Sequence, residues 1–488
     1  MINNKKTILF FSRCQLAEFY GRISEEFTQN FEVLHIAYSN VEEKVLREEY
    51  NINQVINLQK EVSLLLKEVV VNDEIIEEID TLIINQSNDR FSLNASIQAD
   101  RTFKFISYED SLKLSIAYYT FWDKFIASNN IDFLVHEPTS IFLNQIASLL
   151  CKKNNAIYFT MIGVYGENKY NWIALSGDDG VADELIINEK IEKKLSEKEV
   201  DRVEAFLNSF RKDNSFLYQK AFGGKVNFYK LIKSSLKLIG SFTKRAYARI
   251  PIKKNLINHV DLFEFKDFSF FRELKKQWNT LFFLKYDVCD YDANYYYYPL
   301  HYEPEAVVLY WGDSIYKNQV KLIENIAGQL PPNSFLYVKD HPHAGSYRDV
   351  SDYEKIQAIP NVKLLNPSVS GKNLIRTCQS LITINGTSGF EAVMFNKQVY
   401  TFGNAFYSPY TKVERIYNIR ELRSKIYKHH GKDLEDDEEL YLFIHNYLNS
   451  IHSGFVDYFI NFAKIYKIDD AKNSKIVALE LSKYFEKF

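Results

Sequence analysis

The chain is poor in cysteine, with four in 488 residues. Cys14, Cys151, Cys289 and Cys378 lie far apart, and none forms a CxxC pair or joins a histidine cluster. That scatter excludes a disulfide framework and a structural zinc site, and makes cytoplasmic residence the simplest expectation. No stretch approaches the run of about 18 apolar residues that a membrane-crossing helix needs. The opening segment MINNKKTILFFSRCQ carries a short apolar run that stops before Arg13 and lacks a small-residue cleavage pattern. It reads as a first β-strand, not as a signal peptide. Charge of one sign is missing too: 60 basic against 63 acidic residues leave a net charge of −3, which gives no sign of nucleic-acid binding. There is no repeat at a solenoid period. No metal-ligand cluster stands out, since the acidic pair of Asp178 to Gly180 sits in a polar loop.

What is present is apolar and aromatic. Hydrophobic residues make up 46% of the chain, with 34 Tyr and 37 Phe, enough for large cores. The length predicts two domains of about 200 residues or more. KTILFF, FEVLHIAYS, IDFLVHE and AIYFTMIG read as strands alternating with helical segments, the pattern of βαβ units and a parallel sheet. Residues 41–98 are charged and helical in pattern, as in an inserted arm. From about 180 to 285 the alternation breaks. Within that stretch, 230–254 carries eight Lys or Arg and no acid, interleaved with apolar residues, a pattern suited to an anionic membrane surface. The alternation returns with YYYYPLHY, SFLYVKDH, NVKLLN, LITIN and QVYTFG. The expected fold is α/β and GT-B-like, with two Rossmann-like domains facing a central cleft and a helical C-terminal tail. Residues 1–285 form the N-terminal acceptor domain with helical insertions and the basic linker segment. Residues 286–488 form the C-terminal nucleotide-sugar donor domain with the tail.

Two segments concentrate the chemistry. LITINGTSGFEAVMF, from Leu381 to Phe395, predicts a buried strand, a Gly/Thr/Ser turn and a helix. Such a helix start offers unpaired N–H groups and a dipole that favour an anion, most often phosphate. YVKDHPHAG, from Tyr337 to Gly345, ends a strand with Lys339, His341 and His343, each able to donate to phosphate oxygens. Pro342 fixes the backbone of His341, because a residue before proline is driven out of the helical region. Gly386 and Gly389 permit close backbone approach, and Thr387 and Ser388 supply hydroxyls. Glu391, on the first helical turn, can complement the helix dipole or bind ribose hydroxyls. In PLHYEPE, His301 and Glu303 fall at a strand end, and in WGDS either Asp313 or Ser314 can cap the following helix. In the N-terminal half, Glu137 ends a strand where open α/β sheets place functional groups, and is the candidate base or nucleophile. Glu167 and the pair Glu109 and Asp110 stand behind it. Arg13 and Arg22 can pair with an anionic ligand.

At these residues the chain resembles the bacterial capsule polysaccharide biosynthesis family, which includes β-Kdo transferases that use CMP-Kdo. It is also similar to bacterial CMP-sialic acid transferases of GT-B fold. The resemblance rests on the HP motif, His341-Pro342, and on the Ser/Thr motif, Thr387-Ser388 followed by GFEA. It runs from Tyr295 to Tyr407. The acidic–acidic–glycine motif of the sialyltransferases is not evident. The resemblance implies a glycosyltransferase whose HP motif, His341-Pro342, and Ser/Thr motif, Thr387-Ser388, contact CMP; the residues themselves add His341 at the reacting phosphate and Lys339, His343, Gly386, Gly389, Glu391 and His301 around the nucleotide. The substrate is then a CMP-sugar donor, with no separate cofactor or metal. The partners are a glycan or glycolipid acceptor and, through 230–254, the inner membrane face. A UDP- or GDP-sugar transferase and a non-catalytic assembly or export partner remain the alternatives.

Overall fold

The computed structural model describes residues 5–27, 31–103, 106–177, 180–190, 194–212, 278–279, 282, 284–303, 307–341, 348–429, 438–456 and 465–487. The basic segment 230–254, Pro342 and His343 lie outside the described residues.

The chain divides into two compact units, residues 1–191 with 446–488, and residues 192–445. The first unit thus includes the end of the C-terminal tail, and the second begins at Glu192. The first unit is built on strands β1 (Thr7–Ser12), β2 (Glu32–Ala37), β3 (Val55–Asn57), β4 (Phe133–Val135), β5 (Ile157–Val164), β6 (Asn171–Ser176) and β13 (Ile451–Ser453). Their order is β13-β6-β5-β4-β1-β2-β3. The pairs from β5 to β3 are parallel, and β6 pairs antiparallel with both β5 and β13. Every residue of β1 is buried, as expected of a parallel strand covered on both faces. The predicted arm 41–98 does more than insert helices. It supplies β3, the edge strand, between the helices Asn40–Tyr50 and Leu58–Leu65.

The helix Asp470–Lys487 closes this unit's core. Its Val477, Ala478, Leu481, Tyr484 and Phe485 pack with Phe10, Phe27, Phe133 and Phe159. The Phe485 ring lies 4.3 Å from that of Phe133 and 5.1 Å from that of Phe159.

The second unit carries β7 (Tyr295–Pro299), β8 (Phe335–Lys339), β9 (Val362–Leu365), β10 (Ser380–Thr383), β11 (Gln398–Thr401) and β12 (Val413–Arg415). All pairs are parallel, in the order β12-β11-β10-β7-β8-β9. Counted within the unit this is 3-2-1-4-5-6, the doubly wound Rossmann order. Four consecutive tyrosines make β7, and period-two alternation splits them between the two sheet faces. Tyr296 and Tyr298 join the large aliphatic core, whereas the Tyr295 ring stacks 4.1 Å from Tyr337 on the other face. Both units are therefore Rossmann-like, as the alternating pattern predicted.

Candidate functional site

In a doubly wound sheet the strand order reverses once, and the loops at the carboxyl ends of the two strands there diverge to leave a crevice. In the second unit those strands are β7 and β10. β7 delivers His301, and β10 runs through Thr383, Ile384 and Asn385 into Gly386. The helix Thr387–Met394 starts there, two residues earlier than the sequence predicted. Gly386 has φ +143° and ψ 164°, a backbone region that L side chains rarely enter. It offers no side-chain cap; the Gly389 N–H bonds to the Gly386 carbonyl at 3.0 Å, and no described group accepts from the N–H groups of Thr387 and Ser388. Thr387 is exposed and Ser388 half-buried at that end.

Gly389 has a different role from the one its sequence position implied. A Cβ there would fall 2.0 Å from the hydroxyl oxygen of Tyr407, so the close approach is made by Tyr407. The same hydroxyl donates to the Gly386 carbonyl at 2.8 Å and fixes the shape of the turn.

Lys339, at the end of β8, is 5% exposed, with Nζ 3.5 Å from the Pro367 carbonyl. Burial pulls its pKa down to about 8, while the nearby carboxylates of Asp340 and Glu391 act the other way. Glu391 is half-buried and lies close enough to Tyr297 to raise its pKa further, after burial. His341 is half-buried, and its N–H donates to Asp340 Oδ1 at 2.8 Å. His341 and His301 lie within electrostatic reach: burial, then the charges of His341 and Arg348, lower the His301 pKa to about 3. The structure thus gathers His301, Lys339, His341 and the turn at Gly386 along adjoining strand ends of one sheet.

Behind them is a buried polar network that sequence reasoning missed. Gln319 accepts from the His301 N–H at 2.9 Å and donates to the His301 carbonyl at 3.3 Å and to Glu303 at 2.5 Å. Arg348 donates to the same carbonyl and pairs with Glu303. Asp340, 1% exposed, accepts from Tyr353 at 2.5 Å, and its Oδ2 lies 3.8 Å from Arg348 Nε. Burial raises the Asp340 pKa although Arg348, Tyr353 and the His341 N–H oppose the rise. Asp340 stands inside the YVKDHP segment, so only its position between Lys339 and His341 could have drawn attention to it. Glu303, singled out as a rim residue, is part of this scaffold. Asp313 does not cap a helix. It pairs with Arg415 at 3.1 Å, and the next helix, Gln319–Ala327, is capped by Asn318. An open cleft of about 910 Å³ is bordered by Glu303, Gln319, Lys317, Lys321, Asp352 and Lys355. It does not include Lys339, His341 or the Gly386 turn.

In the first unit the reversal falls between β1 and β4. Glu137 is there, but buried: it is 8% exposed and ion-paired with Arg13, itself 2% exposed. Ser140 and Asn144 donate to the same carboxylate oxygen at 3.3 Å and 3.2 Å. Burial alone would raise the Glu137 pKa, but Arg13, His136 and Arg101 outweigh it and hold it below the usual value. Such a carboxylate stays ionised and is poorly matched to taking a proton from a hydroxyl near neutral pH. His136 is bonded through Nδ1 to the Phe11 carbonyl at 2.7 Å, and burial lowers its pKa to about 4. Glu167 is exposed in a loop. Glu109 pairs with Lys113 on a helix surface, Asp110 begins the same helix, and Arg22 pairs with Asp470. None of these three joins Glu137.

No group of three or more His, Cys, Asp or Glu able to hold a metal occurs among the described residues. No described helix is long and apolar enough to cross a membrane.

Comparison with known proteins gives two kinds of result. Among solved structures, the chain is similar to the β-Kdo 2,4-transferase KpsC of Thermosulfurimonas dismutans at 13% identity, covering 67% of this chain and 82% of that one, with a TM-score of 0.36. It is similar to the β-Kdo 2,7-transferase KpsC of the same organism at 13% identity, covering 74% and 88%, with a TM-score of 0.31. The UDP-GlcNAc 2-epimerase of Methanocaldococcus jannaschii in complex with UDP-GlcNAc and UDP matches at 11% identity, covering 91% and 99%, with a TM-score of 0.27. Likenesses this distant carry no argument about substrate. No curated protein matches the chain. The sequence itself gives the stronger result: residues 249–411 match the family described as Capsule polysaccharide biosynthesis protein. That segment contains β7 to β11 and every site residue of the second unit named above. Over that segment the chain is similar to the capsule polysaccharide biosynthesis family.

Proposed function

We propose that the chain is a glycosyltransferase that moves an acidic sugar, with Kdo favoured, from a CMP-activated donor to a glycan or glycolipid acceptor during capsule or lipopolysaccharide assembly. The observation that carries this reading is the strand reversal of the second unit. There a glycine turn, an uncapped helix start and the His341 segment lie within the stretch matched by the capsule family.

The chemistry follows from the leaving group. As the glycosidic bond to CMP breaks, negative charge grows on the phosphate and must be met by donors already in place. The N–H groups at Thr387 and Ser388, their hydroxyls and the His341 ring supply them. Lys339 adds positive charge from beneath, and Glu391 is assigned to the ribose. Pro342 enters as the second residue of the HP motif and His343 as a further phosphate donor in the same segment. Neutralisation of the phosphate is assigned wholly to the protein, so transfer in EDTA should proceed at the untreated rate, and rescue by magnesium or manganese would refute this. The first unit is assigned the acceptor, with Glu137 as its ionised carboxylate.

Calorimetry with CMP, UDP and GDP tests the donor. CMP should bind, and His341→Ala or Ser388→Ala should each weaken it by roughly 1.5–3 kcal/mol, the loss expected for a charge-assisted hydrogen bond. Preference for UDP or GDP would replace the donor. Tight binding without turnover of any donor would favour a non-catalytic assembly partner. The segment 230–254 is proposed to hold the protein at the inner membrane face at about 1 kcal/mol per basic residue, weakened by salt. Sedimentation with anionic but not neutral vesicles is expected, and equal binding to both would refute it.

A further inference from the structure

The His301 ring is 9% exposed and sits against the turn that starts the helix Thr387–Met394. Its Nε2 lies 3.0 Å from Thr383 Oγ1. Thr383 has one hydroxyl hydrogen, and the Asn385 carbonyl, 3.2 Å away, can only accept it. Both contacts are satisfied together when Nε2 carries the proton and donates to Thr383. That tautomer leaves Nδ1 as a bare acceptor, and no described residue donates to it. Nδ1 is turned toward Gly386: a Cβ built there would fall 3.0 Å from His301 Cε1 and 3.5 Å from Nδ1. The backbone on either side of the ring is held by Gln319 and Arg348. The ring therefore has a fixed place, a fixed tautomer and, beside the turn, one acceptor that no described residue uses.

We infer that His301 is a specificity-determining acceptor, which takes a hydrogen bond from a hydroxyl of the ligand, on the ribose or on the transferred sugar, beside the phosphate. The inference rests on the nucleotide reading of this site and gives His301 a part opposite to that of His341. A phosphate oxyanion at neutral pH offers acceptors only, so a bare imine nitrogen would repel it. A hydroxyl offers the missing donor. The environment keeps the ring in this form, since burial and the charges of His341 and Arg348 disfavour a second proton, and its pKa of about 3 lies far below neutral.

Calorimetry would compare the wild-type protein with His301→Phe, which keeps a flat ring and removes both nitrogens. The ligands are CMP, its 2′-deoxy and 3′-deoxy analogues, and CMP-Kdo. Leaving a buried hydroxyl without its acceptor should weaken binding roughly five- to hundredfold. A loss with CMP that disappears with one deoxy analogue identifies a ribose hydroxyl. A loss confined to CMP-Kdo identifies a hydroxyl of the sugar. Equal affinity of wild type and variant for CMP and for CMP-Kdo overturns the inference while leaving the nucleotide site standing. Absence of binding by CMP, UDP, GDP and CMP-Kdo to the wild type overturns the nucleotide reading, and the inference with it. Should His301→Phe fail to fold, imidazole ¹⁵N spectra of the wild type decide. A singly protonated His301 whose Nδ1 resonance shifts with CMP or CMP-Kdo supports the inference. A doubly protonated ring in the complex, or no shift with either ligand, overturns it.

Discussion

The two units reverse their strand order in the same way, yet the two reversal points have opposite chemistry. In the first, charge is answered internally: Arg13 pairs with Glu137, Ser140 and Asn144 donate to the same carboxylate, and His136 is bonded to the Phe11 backbone. In the second, Gln319, Glu303, Arg348 and Asp340 form a hydrogen-bonded scaffold behind the strand ends. Past it lie a helix start without a side-chain cap and one nitrogen of His301 to which no described residue donates. Shared topology fixes where a ligand could sit. The local side chains decide whether anything is left to meet it.

The sharpest way to break this contrast is to uncover the buried charge. Arg13→Ala leaves Glu137 ionised and without its partner, which should cost about 3–5 kcal/mol of unfolding stability with CMP affinity unchanged. Urea denaturation with parallel calorimetry would show it. A loss under about 1 kcal/mol would mean that the carboxylate is compensated from elsewhere.

Acid should act on both units through buried neutral histidines. His35 and His136 are lowered to about 4 and His301 to about 3, chiefly by burial. Each takes up a proton more readily unfolded than folded. Their stabilisation is complete above the ordinary value near 6.5 and is lost as pH falls from there toward the folded values. Across that window His35 and His136 each account for up to about 3 kcal/mol and His301 for up to about 5. Denaturation midpoints measured from pH 7 to pH 4 should fall steadily. His136→Phe should leave only the His35 share of the first unit's part, and an unchanged slope would remove His136 from the account.

Glu137→Gln separates a structural carboxylate from a catalytic one. As a catalytic group it should lower turnover at least about a hundredfold with donor binding intact. A fall in stability with turnover near wild type would leave Glu137 as the partner of Arg13 only, and would move the search to Glu167. The smallest effect is expected at the turn. Gly386→Ala must hold an L residue at φ +143° with its Cβ against His301, at a cost of about 1–3 kcal/mol. Its CMP affinity should fall along with its stability, and full retention of both would refute the close fit.

Most strands of both sheets were legible, because parallel strands covered on both faces read as unbroken apolar runs such as TILFFS and LITIN. Strand β6 and the edge strands β3, β12 and β13 were not. The three edge strands are three residues long each and are defined by their neighbours' hydrogen bonds rather than by a pattern of their own. Within the site, the turn and His341 were legible through local spacing and motif. Gln319, Arg348 and Tyr407 were not, since each reaches the site from another part of the chain and stands in no local pattern that marks it. Glu137 was correctly placed at a strand end. Its burial depends on Arg13, 124 residues earlier in the chain, which no local pattern reports.

The helix Asp470–Lys487 also sets an order of events during synthesis. It supplies Tyr484 and Phe485 to a core whose members outside the helix run from Ile8 to Ala174, with Val456. A nascent chain on the ribosome would hold that core open while the whole second unit emerges and folds between its halves. Until the last turn of helix is released, Phe10, Phe133 and Phe159 lack one wall and offer a sticky apolar surface. Chaperone occupancy should therefore persist until that helix has emerged, and ribosome-bound chains stalled before residue 470 should remain protease-sensitive in the first unit.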